Sequence, residues 1–156
     1  MKKILILFLG FLFISCIAEE QQKKAPVFSL KTVNNEIINL SDYKGKVVIV
    51  NFFATWCPPC KKEIPDFVKF YNENKDKGIV VIGICVGSKE QDIKKLIEEY
   101  KISYPVCISD GKVENAYGGI NAVPTTFIID RNGFIFTKQI GMMEEEQLYN
   151  ILKQIK

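Results

Sequence analysis

One short segment, residues 51–65, limits the possible folds of this chain more than any other. It reads NFFATWCPPCKKEIP and continues an apolar run at 47–50 that is typical of a buried strand. Two cysteines separated by two prolines come next. Beyond them, apolar residues recur at helical spacing, at Ile64, Phe67, Val68 and Tyr71. The pattern therefore predicts a strand, a short turn and a helix that carries two thiols on its first turn.

The position of the two cysteines favours redox chemistry. Unpaired backbone N–H groups at a helix start stabilise negative charge, so Cys57 is expected to ionise readily and to be a solvent-facing nucleophile. Cys60 follows on the same helix face, where it can form or resolve a disulfide with Cys57. Pro58 and Pro59 stiffen the turn and remove N–H groups that a helix start leaves unpaired anyway. We therefore predict a redox dithiol.

For Cys57 and Cys60, the alternatives are half of a zinc site and a structural crosslink. A structural zinc site needs four ligands, whereas the chain has no histidine, and Cys85 and Cys107 lie singly in apolar runs. We expect no bound metal and no cofactor. Cys85 and Cys107 are predicted to be buried, inert thiols. A second disulfide between them is the alternative, which spacing alone does not decide.

Composition excludes several classes of function. With 156 residues, of which 47% are hydrophobic, the chain fits one globular domain with a full core. The absence of histidine excludes Ser/His and Cys/His catalysis and axial histidine ligation of haem. The net charge of +3 arises from acidic and basic residues mixed along the chain, so no nucleic-acid partner is expected.

The first residues have the pattern of an export signal. Lys2 and Lys3 precede an apolar run at 4–14, which is too short to span a bilayer comfortably. The run ends in FISC, which resembles a bacterial lipobox, so we predict lipidation of Cys16. Ordinary cleavage after Ala18 and an uncleaved anchor are the alternatives.

These features divide the chain into three predicted parts. A lipoprotein-type signal peptide is expected at 1–15, a tether at 16–24 and one domain at 25–156, and the polar tether residues 19–24 are expected to have no fixed structure. The domain would work outside the cytoplasm, in the periplasm or on the outer face of the cytoplasmic membrane, where disulfides persist. Attachment to the membrane would come from the lipid anchor.

Predicted strands and helices alternate along the domain. Two short apolar runs around Asn34-Asn35 predict a hairpin, and Asp130-Arg131-Asn132-Gly133 predicts a hairpin turn. The strands predicted after the dithiol helix are 79–86, 104–108, 126–129 and 134–140. A short helix is predicted at 113–117, and apolar stripes at helical spacing within 93–100 and 148–155 predict two further helices. This order implies an α/β sheet covered on both faces.

The string FFATWCPPCKKEIP, followed later by VPTTFIIDRNGFI, resembles the TlpA/ResA-like branch of the thioredoxin superfamily. Members of this branch are exported bacterial thiol–disulfide oxidoreductases, several of which serve cytochrome c maturation. The resemblance covers 25–156. It implies a thioredoxin-like fold, with a central mixed sheet flanked by helices, an N-terminal β-hairpin at 25–40 and an inserted strand–helix unit at 88–108.

The resemblance also implies roles for individual residues. Cys57 would be the attacking thiol and Cys60 the resolving thiol, with Glu63 as the acidic residue beside them. Pro124 falls at the family's cis-proline, and Val123 before it would offer backbone hydrogen bonds to a bound peptide.

Three further positions flank the predicted site. Asn51 stands where ordinary thioredoxins keep a buried aspartate. Trp56 is expected to pack over the dithiol and shield one side of a substrate groove, with ordinary core packing as the alternative. Gly141-Met142-Met143 departs from the small polar residue that relatives often carry after the glycine, which leaves the groove wall undefined.

Glu63 also has a role suggested by its position alone. It lies one turn beyond Cys60, which is expected to be the more buried thiol and to need a base. A partly buried carboxyl group there should have a raised pKa. The alternative is an exposed glutamate on the helix surface.

The leading hypothesis is a monomeric, membrane-tethered reductase that a membrane thiol donor keeps reduced. It would act on thiols and disulfides of exported proteins, such as the haem-binding cysteines of apocytochromes. A disulfide-forming oxidase of the same fold is the main alternative. A thiol peroxidase is disfavoured, because Thr55 is too close to Cys57 for a Thr-x-x-Cys motif and Arg131, the sole arginine, is in a predicted turn. A non-catalytic peptide-binding module would not need the intact CPPC pair.

Overall fold

The computed structural model describes residues 22–155, so the predicted signal peptide at 1–15 and Cys16 lie outside the described residues. Seven strands and four α-helices make up this part of the chain. The strands are β1 (Ser29–Lys31), β2 (Ile37–Asn39), β3 (Val47–Phe53), β4 (Ile79–Cys85), β5 (Val106–Ile108), β6 (Thr125–Ile129) and β7 (Ile135–Ile140). The helices are α1 (Pro58–Asn74), α2 (Glu90–Tyr100), α3 (Lys112–Ala116) and α4 (Glu145–Leu152). Within residues 22–155, no helix is long and apolar enough to cross a membrane.

A mixed five-stranded sheet has the order β5-β4-β3-β6-β7. The pairs β3–β4 and β4–β5 are parallel, whereas β3–β6 and β6–β7 are antiparallel. β1 and β2 form a separate antiparallel hairpin, and Thr32 just after β1 bridges to Cys107 in β5. The mixed sheet, the N-terminal hairpin and the inserted unit of α2 and β5 confirm the predicted fold, and the dithiol follows the central strand.

The sheet is covered on both faces because its two inner strands carry apolar residues on both sides. Every residue of β3 and β4 is buried. Along β4 the side chains alternate, so that Val81 and Cys85 join the core under α1, α2 and α4, while Ile82 and Ile84 join a second core under the hairpin and α3. Strands that are buried on both faces read as continuous apolar runs, as these do.

Helix α1 starts directly after Cys57, with prolines at its first two positions, where a missing N–H breaks no hydrogen bond. Its buried residues are Cys60, Glu63, Ile64, Phe67, Phe70 and Asn74. Val68 and Tyr71, which belong to the predicted stripe, are only partly buried at the edge of the core. A 3₁₀ turn follows the helix, and Gly78 then adopts a positive φ of 75° before β4 begins.

Two details differ from the predictions. The N–H of Ile135 donates to the carbonyl of Lys23 at 2.8 Å, and Lys24 bridges to Phe134, so the expectation of no fixed structure in the tether is wrong for Lys23 and Lys24. Their backbone groups pair with the chain at the start of β7. The segment between β2 and β3, for which no helix was predicted, contains a 3₁₀ helix, Leu40–Tyr43.

Candidate active site

The two cysteines of the CPPC motif form a disulfide at the start of α1. Their Cα atoms are 5.3 Å apart. Cys57 is the N-cap residue of the helix, and its Sγ accepts a hydrogen bond from the Cys60 N–H at 3.2 Å. Once the disulfide is reduced, this N–H and the helix dipole favour the thiolate form of Cys57.

Cys57 is less exposed than its sequence context suggests. Only 3% of the residue is exposed, against 0% of Cys60, so the expectation of a solvent-facing Cys57 is wrong. The reason is tertiary, because the loop before β6 lies against it and the Val123 carbonyl oxygen is 3.6 Å from Cys57 Sγ. Cys60 is the more buried thiol, as predicted.

The loop beside Cys57 carries a cis peptide bond between Val123 and Pro124, as predicted. The Thr125 hydroxyl donates to the Ala122 carbonyl at 2.8 Å. β6 then begins at Thr125, which pairs with Phe52 at the end of β3. Because β3 ends just before the dithiol, this pairing brings Val123 and Pro124 next to Cys57.

Glu63 is buried on α1, about one helical turn after Cys60. It is 1% exposed, which excludes the alternative of a glutamate on the helix surface. Its Oε1 accepts from Asn51 Nδ2 at 2.8 Å and its Oε2 accepts from the Met143 N–H at 2.9 Å. Burial raises the pKa of Glu63 to about 7, the charge of Asp66 adds to this effect, and the two hydrogen bonds oppose it.

The partners of Glu63 come from distant parts of the chain. Asn51 is 2% exposed in β3, and its Nδ2 also donates to Thr126 Oγ1 in β6 at 3.0 Å. Met143 is fully buried just before α4, where Glu144 and Gln147 form a capping box at the start of the helix. Sequence reasoning singled out Asn51 but missed Thr126 and the Met143 N–H. The β3–β6 register alone could have indicated Thr126, and no side-chain signal marks a backbone donor.

Trp56 projects from the surface beside the dithiol. It is 63% exposed, so the alternative of ordinary core packing is wrong. Its Nε1 donates to the Gly87 carbonyl at 3.0 Å, just beyond β4. The preceding residue, Thr55, binds Ser88 Oγ through both its N–H and its hydroxyl. Since β4 and β6 flank β3 on opposite sides, Trp56 and the cis-proline loop lie on opposite sides of the dithiol.

The two remaining described cysteines, Cys85 and Cys107, are free and buried, as predicted. Burial raises the pKa of both thiols, to about 12 for Cys107, while hydrogen bonds to Ser88 and Thr55 oppose the rise for Cys85. They lie in neighbouring strands, but Cys85 belongs to the core under α1 and Cys107 to the core under the hairpin. Side chains on opposite faces of a sheet cannot pair, which excludes the second disulfide.

Comparisons with known proteins agree with this geometry. The model of the AhpC/TSA family matches residues 21–138. The thiol-disulfide oxidoreductase ResA of Bacillus anthracis is 37% identical over 134 residues, which cover 85% of this chain and 77% of that protein. ResA of Bacillus subtilis (strain 168) is 35% identical over 133 residues, covering 85% and 74%. The chain belongs to the TlpA/ResA-like branch of the thioredoxin superfamily.

Solved structures show the same relationship. A thiol:disulfide interchange protein of Chlorobium tepidum TLS superimposes with a TM-score of 0.83 at 34% identity, covering 88% of this chain and 98% of that one. StoA of Bacillus subtilis gives a TM-score of 0.71 at 31% identity, covering 82% and 97%. The protein is therefore a thiol–disulfide oxidoreductase with a thioredoxin-like fold, and the Cys57–Cys60 pair is its CXXC disulfide.

Proposed function

We propose that this protein reduces disulfides of exported proteins, with Cys57, Cys60 and Glu63 as the catalytic residues. The observation that carries the proposal is the buried Glu63 carboxyl group, whose pKa is raised to about 7 one helical turn from Cys60. A base with a pKa near the working pH is suited to take a proton from a thiol that burial keeps protonated.

The first step is attack on the target. The Cys57 thiolate, stabilised by the Cys60 N–H, attacks one sulfur of the target disulfide. The target S–S bond breaks, its second sulfur leaves as a thiolate, and a mixed disulfide joins Cys57 to the target. The Val123 carbonyl oxygen, 3.6 Å from Cys57 Sγ, can accept a hydrogen bond from the Cys57 thiol before that thiol ionises.

The second step releases the product. Glu63 takes the proton of Cys60, and the Cys60 thiolate attacks Cys57 Sγ. The mixed disulfide breaks, and the target sulfur that was bonded to Cys57 leaves as a thiolate and is protonated. Two electrons have then passed from the dithiol to the target, and the Cys57–Cys60 disulfide is restored. A membrane thiol donor would return the two electrons.

The target would lie across the surface between Trp56 and the cis-proline loop. Val123 offers backbone hydrogen bonds to an extended peptide, Pro124 shapes the loop, and the exposed indole of Trp56 offers an apolar wall. Met142, which is 38% exposed beside the buried Met143, adds a flexible apolar side chain near the site. These features favour a disulfide-containing peptide with apolar flanking residues.

The proposed location is outside the cytoplasm, with the protein attached to the membrane by lipid at Cys16. The apolar run at 4–14 and the following FISC support export and lipidation. The resemblance to proteins of cytochrome c maturation makes the haem-binding cysteines of apocytochromes candidate targets. We propose that the enzyme acts as a monomer, without a metal, a cofactor or nucleic acid.

The geometry disfavours a peroxidase. Arg131 lies in the turn after β6, at the end of the sheet opposite the dithiol, and its Nη1 donates to the Gly45 carbonyl at 3.2 Å. It is therefore not available to hold a peroxide at Cys57. Thr55 is engaged by Ser88 rather than directed at a substrate.

The midpoint potential of the Cys57–Cys60 pair tests the direction of electron transfer. We expect a value near or below about −270 mV, that of thioredoxin, together with mostly reduced protein when cells are quenched with an alkylating agent. A value near about −120 mV, that of a strong periplasmic oxidant, with oxidised protein in cells, would establish the oxidase alternative instead. Cys57→Ser, which cannot form the disulfide, calibrates the alkylation pattern.

A further inference from the structure

The end of the sheet opposite the dithiol carries a group of basic side chains. A cavity of about 230 Å³ at this end is lined by four of them, Lys24, Lys44, Lys46 and Arg131. We call these four residues the basic end. β3 starts at this end and runs to the dithiol, and its seven residues separate the two by roughly 20 Å. The basic end is thus distinct from the active site.

The charges of the basic end have no acidic partners within the described residues. The ion pairs of residues 22–155 join Lys69 to Glu145 and Lys94 to Glu90, far from this cavity. Asp130 lines the cavity, but its Oδ1 accepts the N–H groups of its own turn, from Asn132 at 3.0 Å and Phe134 at 2.9 Å. Four cations beside this single carboxylate leave a net positive charge at the basic end, which favours an external anion.

Apolar groups lie between the cations. Val27 in the cavity lining is 74% exposed, whereas Ala25, Leu40 and Val48 are buried parts of the same lining. Tyr43 also lines the cavity, with the Lys46 ammonium 5.8 Å from its ring centroid. Basic side chains around exposed apolar and aromatic groups are typical of surfaces that lie in the headgroup region of a membrane.

The chain enters the domain at this same end. Lys23 and Lys24 pair with Ile135 and Phe134, next to the cavity. The preceding residues carry the apolar run at 4–14, and the segment from Cys16 to Lys23 spans at most roughly 25 Å when extended. An anchor in the membrane would therefore hold the basic end close to the lipid surface.

We propose that the basic end docks on the phosphate groups of anionic phospholipids and turns the dithiol away from the membrane. Lys24, Lys44, Lys46 and Arg131 would contact the phosphates, while Val27 and the Tyr43 ring lie among the glycerol groups. The proposal rests on the membrane attachment in the proposed function, but it is independent of the direction of electron transfer.

Lysine acylation of the full chain in vesicles tests the proposal. Vesicles of phosphatidylcholine alone are compared with vesicles in which phosphatidylglycerol replaces part of it, and labelling by a water-soluble acylating reagent is read by mass spectrometry. We expect labelling of Lys44 and Lys46 to fall by roughly threefold or more with phosphatidylglycerol, and to recover at high salt. The exposed Lys62 and Lys95, on α1 and α2, should label equally in both.

Charge variants distinguish the effect of the basic end on docking from the effect of the protein's total charge. In the double variant Lys44→Glu/Lys46→Glu, Lys24 should lose its protection in anionic vesicles, whereas Lys62→Glu/Lys95→Glu, with the same change of net charge, should keep it. Lys44→Glu/Lys46→Glu should reduce a soluble disulfide substrate at the wild-type rate, because both positions lie at the end of the sheet opposite the dithiol and Glu63.

Each other outcome contradicts a defined part of the proposal. Equal labelling of Lys44 and Lys46 in both kinds of vesicle, with the protein bound to both, would exclude docking on anionic lipid and leave the tether intact. A full chain that does not float with either vesicle would contradict the tether and the docking together. Normal disulfide reduction in either case would leave the proposed enzyme activity standing.

Discussion

Glu63 is the residue whose surroundings matter most for the proposed chemistry. A carboxylate at 1% exposure is expensive to keep ionised, and here two N–H donors, from Asn51 and Met143, offset only part of that cost. The resulting pKa of about 7 means that Glu63 holds a proton in the folded protein at pH values where an exposed glutamate has lost it. Folding and catalysis therefore place opposite demands on this residue.

The first prediction concerns stability. The pKa of Glu63 is about 7 when folded and near its ordinary value of 4.5 when unfolded, so the free energy of unfolding decreases as pH rises from about 4.5 through 7. The difference corresponds to about 3 kcal/mol. In the oxidised protein at pH 8, Glu63→Gln should raise the free energy of unfolding by about 1–3 kcal/mol, and at pH 5 it should change little. Urea denaturation at both pH values measures this.

Glu98→Gln is the matched control for this change, because it removes the same charge from an exposed position in α2. It should show no comparable gain at pH 8. A lower stability of Glu63→Gln at pH 8 than of the wild type would contradict the assignment of the raised pKa to burial.

The second prediction concerns the release step. Resolution of the mixed disulfide should speed up with pH, with a midpoint near 7 set by Glu63, and Glu63→Gln should slow it by roughly 100-fold. Asn51→Leu removes the Asn51 hydrogen bond at similar volume, and since that bond lowers the pKa of Glu63, the midpoint should move to higher pH. Acid-quenched samples analysed by mass spectrometry give the rate at each pH.

Thr126→Val is the control for this profile. It removes the acceptor of the second Asn51 hydrogen bond and leaves the contact between Asn51 and Glu63 in place. Its midpoint should match the wild type. An unchanged midpoint in Asn51→Leu would show that Glu63 does not set the pH dependence of release.

At the scale of the elements, β4 packs so closely against its neighbours that Gly83 has no room for a side chain. A Cβ atom on Gly83 would lie 2.9 Å from Phe53 Cε1 and 3.3 Å from Tyr104 Cε2. Phe53 is 1% exposed and Tyr104 5% exposed, so neither ring can move freely. Gly83 thus lets β3, β4 and the segment before β5 approach one another.

The third prediction tests this close approach. Gly83→Ala should lower the free energy of unfolding by about 1–3 kcal/mol, because the added methyl group overpacks the core. Phe53→Leu removes the nearest ring atom, so Gly83→Ala should be less destabilising in that background. Urea denaturation of the four proteins in a double-mutant cycle measures the coupling. Equal effects of Gly83→Ala in both backgrounds would show that Phe53 is not the obstacle.

At the scale of the whole molecule, one sheet separates two apolar cores. Cys85 reports on the core under α1, α2 and α4, and Cys107 on the core under the hairpin and α3. Because β3 and β4 contribute side chains to both cores, neither core can open without disturbing the strands that hold the other. A domain built in this way should unfold as one unit.

The fourth prediction follows from this arrangement. With the Cys57–Cys60 disulfide intact, pulses of a thiol reagent in increasing urea should label Cys85 and Cys107 in a single shared transition. In native buffer both should resist labelling, since both are buried and their pKa values are raised. Peptide mass spectrometry separates the two sites. Labelling of one cysteine at clearly lower urea would show that the two cores unfold separately.

Much of the fold follows from local patterns. The runs at 47–53 and 79–85 are continuous and apolar because both faces of these strands are covered, and the CPPC motif marks the start of α1 because proline suits the first helical positions. The cis peptide bond before Pro124 was predicted only from the resemblance to a known family, because general X-Pro statistics favour the trans form. Strand ends differ from the predictions by only one or two residues, with β5 starting later than expected.

The sequence by itself determined where the dithiol lies, which thiol starts the helix and which carboxyl group follows one turn later. These properties depend on neighbours within one or two turns of the chain. Tertiary structure alone decided that Cys57 is covered, that Trp56 is exposed and that Glu63 is held by Asn51 and the Met143 N–H. Each of these depends on contacts between segments far apart in sequence, whose register is set only when the sheet and both cores are formed.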